Sequence, residues 1–211
     1  MRHPRPEHIS LADFLVWEQQ QPDRFEWIDG TVVPCSGVSF EHGTISLNLS
    51  ASFHAAVASG PCFVQPSDRQ LIPRDANGRD VGSFYADLFV SCAASDRTGR
   101  AAHAPTVVVE VLSQHVGGEF TDKREAYLGS AALVDYLIVN SRRRHVYRYS
   151  WKVTAENGRR LVTCEYRKGP VVIPSLGLTL GFEQIYAGTN VPAILHPISS
   201  AKEVESDIVL D

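Results

Sequence analysis

The chain has 211 residues, of which 44% are hydrophobic and 21% are charged. This size and composition are typical of one globular domain with a buried core. No apolar run reaches the ~20 residues that a membrane-spanning helix needs. The basic N-terminal segment MRHPRPEHIS is not followed by the apolar stretch of a signal peptide, so we expect a cytoplasmic protein.

The charge is distributed unevenly along the chain. The net charge of −4 excludes a protein that coats nucleic acid through bulk positive charge. Between Ser141 and Lys168, however, nine Lys or Arg residues stand against two Glu residues. Any surface that binds a polyanion should therefore include this segment.

The four cysteines, Cys35, Cys62, Cys92 and Cys164, are scattered and include no C-x-x-C pair. Their spacing favours neither a zinc site nor a dense disulfide framework. We predict free and mostly buried thiols.

The first half of the chain predicts helices and a hairpin, followed by strands. Ser10 can cap a helix over residues 11–21, and Asp29-Gly30 supplies the turn of a hairpin over residues 24–35. Apolar residues four positions apart predict an amphipathic helix over 41–57. Strands are expected over 62–73, 85–92 and 105–113, with polar loops over 74–80 and 93–103 between them.

The second half predicts a β-α-β unit and then a meander. A helix over 119–130 leads into a buried strand over 133–140, which suggests a parallel pair with the strand at 105–113. Residues 145–153 and 160–168, joined by an Asn157-Gly158 turn, predict an antiparallel extension, and residues 182–186 a last helical turn. We expect a single mixed α/β domain over residues 1–196 and a poorly ordered acidic tail over 197–211.

Two acidic residues lie in segments that otherwise look like buried strands. Asp87 lies in YADLFV, and Glu110 lies in VVVEVLS. Buried carboxylates are costly unless they are paired or bind a metal, and Mg²⁺ prefers such oxygen ligands. The alternative is that each acid lies at a strand end and pairs with an arginine or caps a loop.

Lys123 follows the Glu110 strand at the start of the next helix. In a β-α-β unit the carboxyl ends of the strands and the following helix share one edge, where ligands usually bind. An ammonium group there can orient a water or offset charge on a phosphoryl group. Taken alone, Lys123 is better explained as an ordinary solvated lysine, and its assignment to a site depends on the two carboxylates.

These residues lie in an ordered series of motifs that resembles the Uma-two family of restriction-endonuclease-like proteins. The resemblance runs from about Leu11 to Tyr149, and more loosely to Ile185. The matching pieces, in chain order, are FEWIDG at 25–30, His42 opening a helix, ADL at 86–88, VEVLS at 109–113, Lys123 four residues before Tyr127, and LVDYLIV at 133–139.

The resemblance implies a mixed α+β fold with a restriction-endonuclease-like core, a central mixed sheet flanked by helices, and an antiparallel C-terminal meander. It also implies a variant of the P-D…(D/E)-x-K active site, with Asp87 and Glu110 as the two acids. The usual lysine position is Leu112, and Lys123 takes its role. Glu26 would be an additional acid near His42. For Glu26 a solvent-facing hairpin residue is the alternative, and for His42 a local bond at the helix start.

The sequence departs from the family pattern at three places. Ala86 replaces the proline before the motif aspartate, which removes backbone stiffness and no ligand. Glu119 replaces an aspartate four residues before the lysine, and Gln114-His115 replaces the more usual Pro-Ser.

From this set we expect Mg²⁺- or Mn²⁺-dependent hydrolysis of DNA. Asp87, Glu110 and the Val111 carbonyl would ligate the metal, and Lys123 would orient or help deprotonate a water. Arg142, Arg143 and Arg144, with His42, would contact the nucleic acid, although such arginines often form only a solvated turn.

Two alternatives to the nuclease are compatible with the sequence. One is a non-catalytic nucleic-acid-binding or protein-binding module that keeps the fold. The other is an interaction protein that works as a homodimer, although a homodimer is also compatible with the nuclease.

Overall fold

The computed structural model describes residues 6, 8–35, 37, 39–112, 118–154, 158–193 and 202–209, with only the backbone described at 118–120 and 202–209. Its helices are α1 (Leu11–Glu18), α2 (Phe40–Val57), α3 (Gly118–Leu128) and α4 (Phe182–Ile185). Its strands are β1 (Phe25–Ile28), β2 (Thr31–Pro34), β3 (Phe63–Pro66), β4 (Gln70–Leu71), β5 (Leu88–Ser91), β6 (Ala101–Ala102), β7 (Pro105–Leu112), β8 (Asp135–Asn140), β9 (Val146–Val153), β10 (Arg159–Tyr166), β11 (Val171–Ile173), β12 (Leu178–Leu180) and β13 (Lys202–Val209).

Seven of these strands form a central mixed sheet in the order β13-β10-β9-β8-β7-β5-β3. Strands β7 and β8 are parallel and are joined through α3, as the β-α-β prediction requires. The other neighbouring pairs of the sheet are antiparallel. The predicted mixed α+β fold with a central sheet and an antiparallel C-terminal extension is therefore confirmed.

The two faces of the sheet bury separate hydrophobic clusters because successive side chains of a strand point to opposite sides. One cluster receives the apolar stripe Ile45, Leu49, Phe53 and Val57 of α2. The other receives Tyr127 of α3 with Phe84 and Tyr136. Helices α2 and α3 thus lie on opposite faces of the sheet.

The helix cap and the hairpin turn predicted near the N-terminus are both present in the structure. The Ser10 hydroxyl accepts a hydrogen bond from the Asp13 amide at 3.2 Å and caps α1, although this helix ends at Glu18 and is shorter than predicted. Asp29 and Gly30 have φ values of 44° and 86° and turn β1 into β2. A Cβ at Gly30 would lie 1.9 Å from the His8 ring, so this turn requires glycine.

The structure shortens two predicted strands. Residues 62–73 form β3 and β4 around a turn, and the segment 85–92 becomes regular only from Leu88. Asp87 therefore lies just before β5, in a bend, instead of within the strand. The Asn157 half of the predicted Asn157-Gly158 turn lies outside the described residues.

The prediction of four free cysteines is wrong for two of them. Cys62 and Cys92 form a disulfide with their Cα atoms 3.9 Å apart. The reason is the antiparallel pairing of β3 with β5, in which Phe63 faces Ser91 and the two flanking cysteines come together. Cys164 is buried as expected, whereas Cys35 is exposed.

Part of the predicted C-terminal tail forms a strand of the central sheet. Strand β13 pairs antiparallel with β10, with a register shift between Arg160 and Val162. Without it, β10 would present an open edge of unpaired backbone groups, which favours the pairing of another strand. Residues 197–201 and 210–211 of the predicted tail lie outside the described residues. Within the described chain, no helix is long and apolar enough to cross a membrane.

Candidate active site

The two candidate metal ligands face each other across neighbouring strands. The antiparallel register of β5 and β7 pairs Leu88 with Val109, which places Asp87 opposite Glu110 at the end of the ladder. The Val111 amide donates a 2.7 Å hydrogen bond to Oδ2 of Asp87. This hydrogen bond fixes the Asp87 carboxylate in the bend before β5, which is outside any regular strand.

Lys123 reaches this pair of acids from α3. Its Nζ lies 2.9 Å from Oε1 of Glu110 and 2.7 Å from Oε1 of Glu26, and its side chain is 13% exposed. Burial alone lowers the pKa of a lysine, but the carboxylates of Glu110 and Glu26 outweigh it and raise the pKa of Lys123 above its usual value. Lys123 is therefore a charged and largely buried ammonium group and not a solvated surface lysine.

Glu26 enters the site from β1. Its Oε1 accepts a 2.8 Å hydrogen bond from the Tyr85 amide in addition to the contact with Lys123. Trp27 forms an isolated antiparallel bridge with Ser83, which aligns β1 with the segment that leads to Asp87. Because its side chain is only 12% exposed, Glu26 belongs to the cluster and does not face solvent from a hairpin.

Glu110 is the least exposed of the three carboxylates of the cluster, with 9% of its side chain exposed. Burial raises its pKa to about 7; the Lys123 charge opposes this rise, and the charges of Asp87 and Glu26 add to it. The Tyr127 hydroxyl donates a 3.0 Å hydrogen bond to the same Oε1 atom that Lys123 contacts.

Tyr127 was not among the residues that the sequence assigned to the site. The available signal was its spacing, since residues four apart share one face of a helix and Lys123 comes four residues earlier. Its ring also packs against Phe84 and Tyr136, with centroids 4.8 and 5.4 Å apart. Tyr127 therefore connects the packing of α3 against the sheet with the orientation of the Glu110 carboxyl group.

His42 contacts Asp87 from the opposite side of the sheet. Its Nε2 lies 3.2 Å from Oδ2 of Asp87, and the residue is 7% exposed. Burial lowers the pKa of His42, but the hydrogen bond and charge of Asp87 outweigh this effect, with smaller contributions from Glu110 and the Val111 backbone, and the pKa is raised. His42 therefore restrains the Asp87 carboxylate, and its predicted contact with nucleic acid stays a prediction.

A family model described as "Uma2: Putative restriction endonuclease" matches residues 11–190. The chain belongs to this family. The resemblance proposed from the sequence is thereby confirmed.

Two relatives and one solved structure extend the comparison for this Uma2 chain. Two uncharacterized proteins of Synechocystis sp. are 28% identical over 186 residues and 25% identical over 136 residues. These matches cover 85% and 63% of this chain and 92% and 75% of the relatives. The crystal structure of a protein titled "putative nuclease belonging to DUF820" from Anabaena variabilis superposes with a TM-score of 0.65 at 14% identity, covering 85% of this chain and 98% of that one. At this identity the superposition supports the fold alone.

The oxygen atoms of the Uma2 site suit a hard divalent cation. The hydrogen bonds and ion pairs of Asp87 and Glu110 with described residues go to Oδ2 and Oε1, which leaves Oδ1 and Oε2 without such partners. Among the described residues, no three His, Cys, Asp or Glu side chains are grouped to hold a metal. Mg²⁺ needs only one or two protein carboxylates because it keeps several waters. Two facing carboxylates therefore fit Mg²⁺ better than a metal that needs a full set of protein ligands.

The predicted arginines lie at the same edge of the sheet, just after β8. Leu112 at the end of β7 faces Asn140 at the end of β8, and Oδ1 of Asn140 accepts hydrogen bonds from the amides of Arg142 and Arg143. The side chains of these two arginines are exposed. Arg144 differs, because its Nη1 lies 2.6 Å from Glu183 and its Nε donates to the Val191 carbonyl at 3.3 Å. Arg144 therefore holds α4 and the following segment in place.

A cavity of about 550 Å³ opens beside this site, between the β1–β2 hairpin and α3. Its acidic lining residues are Asp29, Asp80, Asp122 and Glu125. Negative charge of this density repels phosphate, so the cavity is unsuited to a nucleic-acid backbone.

Proposed function

We propose that this protein is a divalent-metal-dependent endonuclease that hydrolyses phosphodiester bonds in DNA. The observation that carries the proposal is the convergence of Asp87, Glu110 and Lys123 at one edge of the sheet, with 2.9 Å between the ammonium and Glu110. A buried cluster of acids around one lysine is typical of a functional site, since burial and like charges are costly to a merely structural group.

Asp87, Glu110 and the Val111 carbonyl would hold the cation. When bound, Mg²⁺ or Mn²⁺ would polarise the scissile phosphate and lower the pKa of a bound water. The Val111 amide and His42 both contact Oδ2 of Asp87, and this restrains the carboxylate. Lys123 and Tyr127 likewise both contact Oε1 of Glu110. Each acid is thus oriented before any cation arrives.

The electrostatics favour one of the two roles expected for Lys123. A lysine with a raised pKa remains protonated near neutral pH and is a poor base. Its ammonium group can instead donate a hydrogen bond to a water or offset the charge that develops on the phosphoryl group. We therefore assign Lys123 to orientation and charge stabilisation. Arg142 and Arg143 would contact neighbouring phosphates without reading bases.

The test is cleavage of supercoiled plasmid DNA by the purified protein with Mg²⁺ or Mn²⁺. Asp87→Ala and Lys123→Ala should each lower the rate by about 100-fold or more, as removal of a group that stabilises a transition state commonly does. Exposed charged residues outside the site and outside the basic segment serve as controls: Asp68→Ala and Arg79→Ala should cleave like the wild type. Equal cleavage by the wild type and both site variants contradicts the proposal.

A second candidate function is a non-catalytic binding module that keeps the fold. It is favoured by the position of Lys123, which already pairs with both Glu26 and Glu110 and could serve as an internal counter-ion. Isothermal titration with Mn²⁺ separates the two: no heat of binding that depends on Asp87 and Glu110 would favour the module. A homodimer and a cytoplasmic location stay predictions.

A further inference from the structure

Two tyrosines of β9 lie on the face of the sheet that carries Glu110 and Lys123. Tyr147 and Tyr149 are partly buried and pack at the margin of the cluster that contains Tyr127 and Tyr136. Helix α3 covers the β7 and β8 part of this face through Tyr127, whose ring contacts Tyr136. The two tyrosines therefore lie beside α3, with part of each side chain exposed.

The register of the sheet places Tyr147 in line with the acidic pair. Glu110 faces Ile138 across β7 and β8, and Ile138 faces Tyr147 across β8 and β9. Neighbouring strands are about 4.8 Å apart, so the backbone of Tyr147 lies roughly 10 Å from that of Glu110. Adjacent nucleotides of one strand can span such a distance, with a phosphate at the acids and a base on the tyrosine.

Positive charge surrounds this part of the face. The Tyr147 hydroxyl donates a 3.4 Å hydrogen bond to Oε1 of Glu165, and Arg167 contacts the same atom at 2.7 Å, so Arg167 lies beside the phenol. Burial raises the pKa of Tyr147, and the positive charges of Arg167 and Arg143 oppose this rise. Arg124, next to Lys123 on α3, lies over the Tyr149 ring at 6.0 Å from its centroid. Glu165 is itself paired with Arg167 at 2.7 Å, which leaves the surroundings net positive.

The Tyr147 and Tyr149 rings are also restrained by neighbouring rings. The buried His145 ring lies 4.3 Å from it between centroids, and Tyr149 stacks on Tyr136 at 6.0 Å with an interplanar angle of 26°. Rings held in this way lose little conformational entropy when a flat group stacks on them. Aromatic rings in a positively charged groove are the usual means of binding single-stranded nucleic acid.

We propose that Tyr147, flanked by Tyr149, Arg124, Arg143 and Arg167, forms a stacking platform for an unpaired base next to the scissile phosphate. The preferred substrate is then DNA with a single-stranded segment at the site, because bases in a duplex are stacked on each other and expose no face to a side chain. The inference rests on the proposed nuclease function for its placement of the phosphate, but the binding that it requires is independent of cleavage.

The test measures equilibrium binding in EDTA by fluorescence anisotropy, with a labelled single-stranded oligonucleotide and the same sequence as a blunt duplex. Wild type should bind the single strand more tightly. Tyr147→Leu should weaken single-strand binding about tenfold, as expected for loss of one stacked base, and leave duplex binding unchanged. Tyr147→Phe keeps the ring and should bind like the wild type.

Phe63→Leu is the matched control, since Phe63 is a partly buried ring under Arg97 at 4.7 Å on β3, at the far edge of the sheet. It should leave both affinities unchanged. Thermal unfolding of each variant establishes that it is folded. Tighter duplex binding by the wild type, equal losses for single strand and duplex in Tyr147→Leu, or unchanged binding in that variant would each overturn the platform.

The nuclease proposal and the stacking-platform proposal can each be refuted without the other. If the wild type cleaves no DNA with Mg²⁺ or Mn²⁺ but Tyr147→Leu still loses single-strand binding selectively, the nuclease assignment is wrong and the platform stands. If cleavage requires Asp87 and Lys123 but is equally fast on duplex and single strand in the wild type and Tyr147→Leu, the nuclease stands and the platform is wrong.

Discussion

Replacing Glu110 with glutamine should stabilise the metal-free protein at alkaline pH and change its stability little at acidic pH. The folded state holds the pKa of Glu110 at about 7, against 4.5 for the ordinary group. Between these values the folded protein keeps a proton that the unfolded chain has lost. The stability of the wild type therefore falls as the pH rises through this window.

The size of the effect follows from the shift. The difference between a pKa of about 7 and one of 4.5, at roughly 1.4 kcal/mol for each pH unit, corresponds to about 3 kcal/mol in full. Between about pH 5 and about pH 8 most of this, on the order of 2–3 kcal/mol, should develop, and the rest of the titration lies below about pH 5. Glutamine keeps an acceptor for Tyr127 and Lys123, and Glu26 still balances the lysine charge.

Urea unfolding in EDTA at the two pH values measures this effect. The quantity of interest is the difference in free energy of unfolding between Glu110→Gln and the wild type, because other groups that titrate in both proteins cancel. Glu125→Gln, an exposed acid on α3, is the control and should show no pH-dependent difference. If the difference for Glu110→Gln is the same at both pH values, the carboxyl group is not desolvated as described and the reasoning fails.

Three further predictions concern the surroundings of the site and the fold. Tyr127→Phe should leave the protein folded but weaken Mn²⁺ binding in isothermal titration, because Glu110 loses a 3.0 Å hydrogen bond that orients it; unchanged affinity would exclude a positioning role. Asp135→Ala should cost about 3–5 kcal/mol in urea unfolding, since it leaves the buried Arg148 guanidinium without the carboxylate 3.2 Å away; a loss below about 1 kcal/mol would contradict this. Reduction of the disulfide between Cys62 and Cys92, which are 30 residues apart, should lower the free energy of unfolding by about 3.5 kcal/mol, and the Cys62→Ser variant should show no response to reductant.

The sequence predicted the elements whose signals are local. The spacing of Ile45, Leu49 and Phe53 predicts α2, and Asp29-Gly30 predicts the first hairpin, because periodicity and turn chemistry depend on neighbouring residues only. The β-α-β unit around α3 was predicted for the same reason. The bend that holds Asp87 was not, since a single non-local bond from the Val111 amide fixes it.

In the candidate site, too, the residues with a local signal were predicted, and the contacts between distant parts of the chain were not. Asp87 and Glu110 are conspicuous because carboxylates are rare among strand-forming residues, whereas Lys123 is one of many charged residues on its helix and was assigned through the family resemblance. The contact of His42 with Asp87 and the bond of Tyr127 to Glu110 join elements far apart in the chain. Pairing of Cys62 with Cys92 likewise depends on the register of β3 and β5, which no local pattern specifies.

Helices α2 and α3 bring His42 and Lys123 to the acids from opposite faces of the sheet. The site therefore exists only while both helices are docked, and any partial opening that releases either one dismantles it. Its lifetime is set by the less stable of the two helix-docking units and not by the global stability of the protein. In native-state hydrogen exchange, the helix whose amides exchange more slowly should stay folded after the site is lost. The helix whose amides exchange first should be the one that undocks at the temperature at which activity is lost.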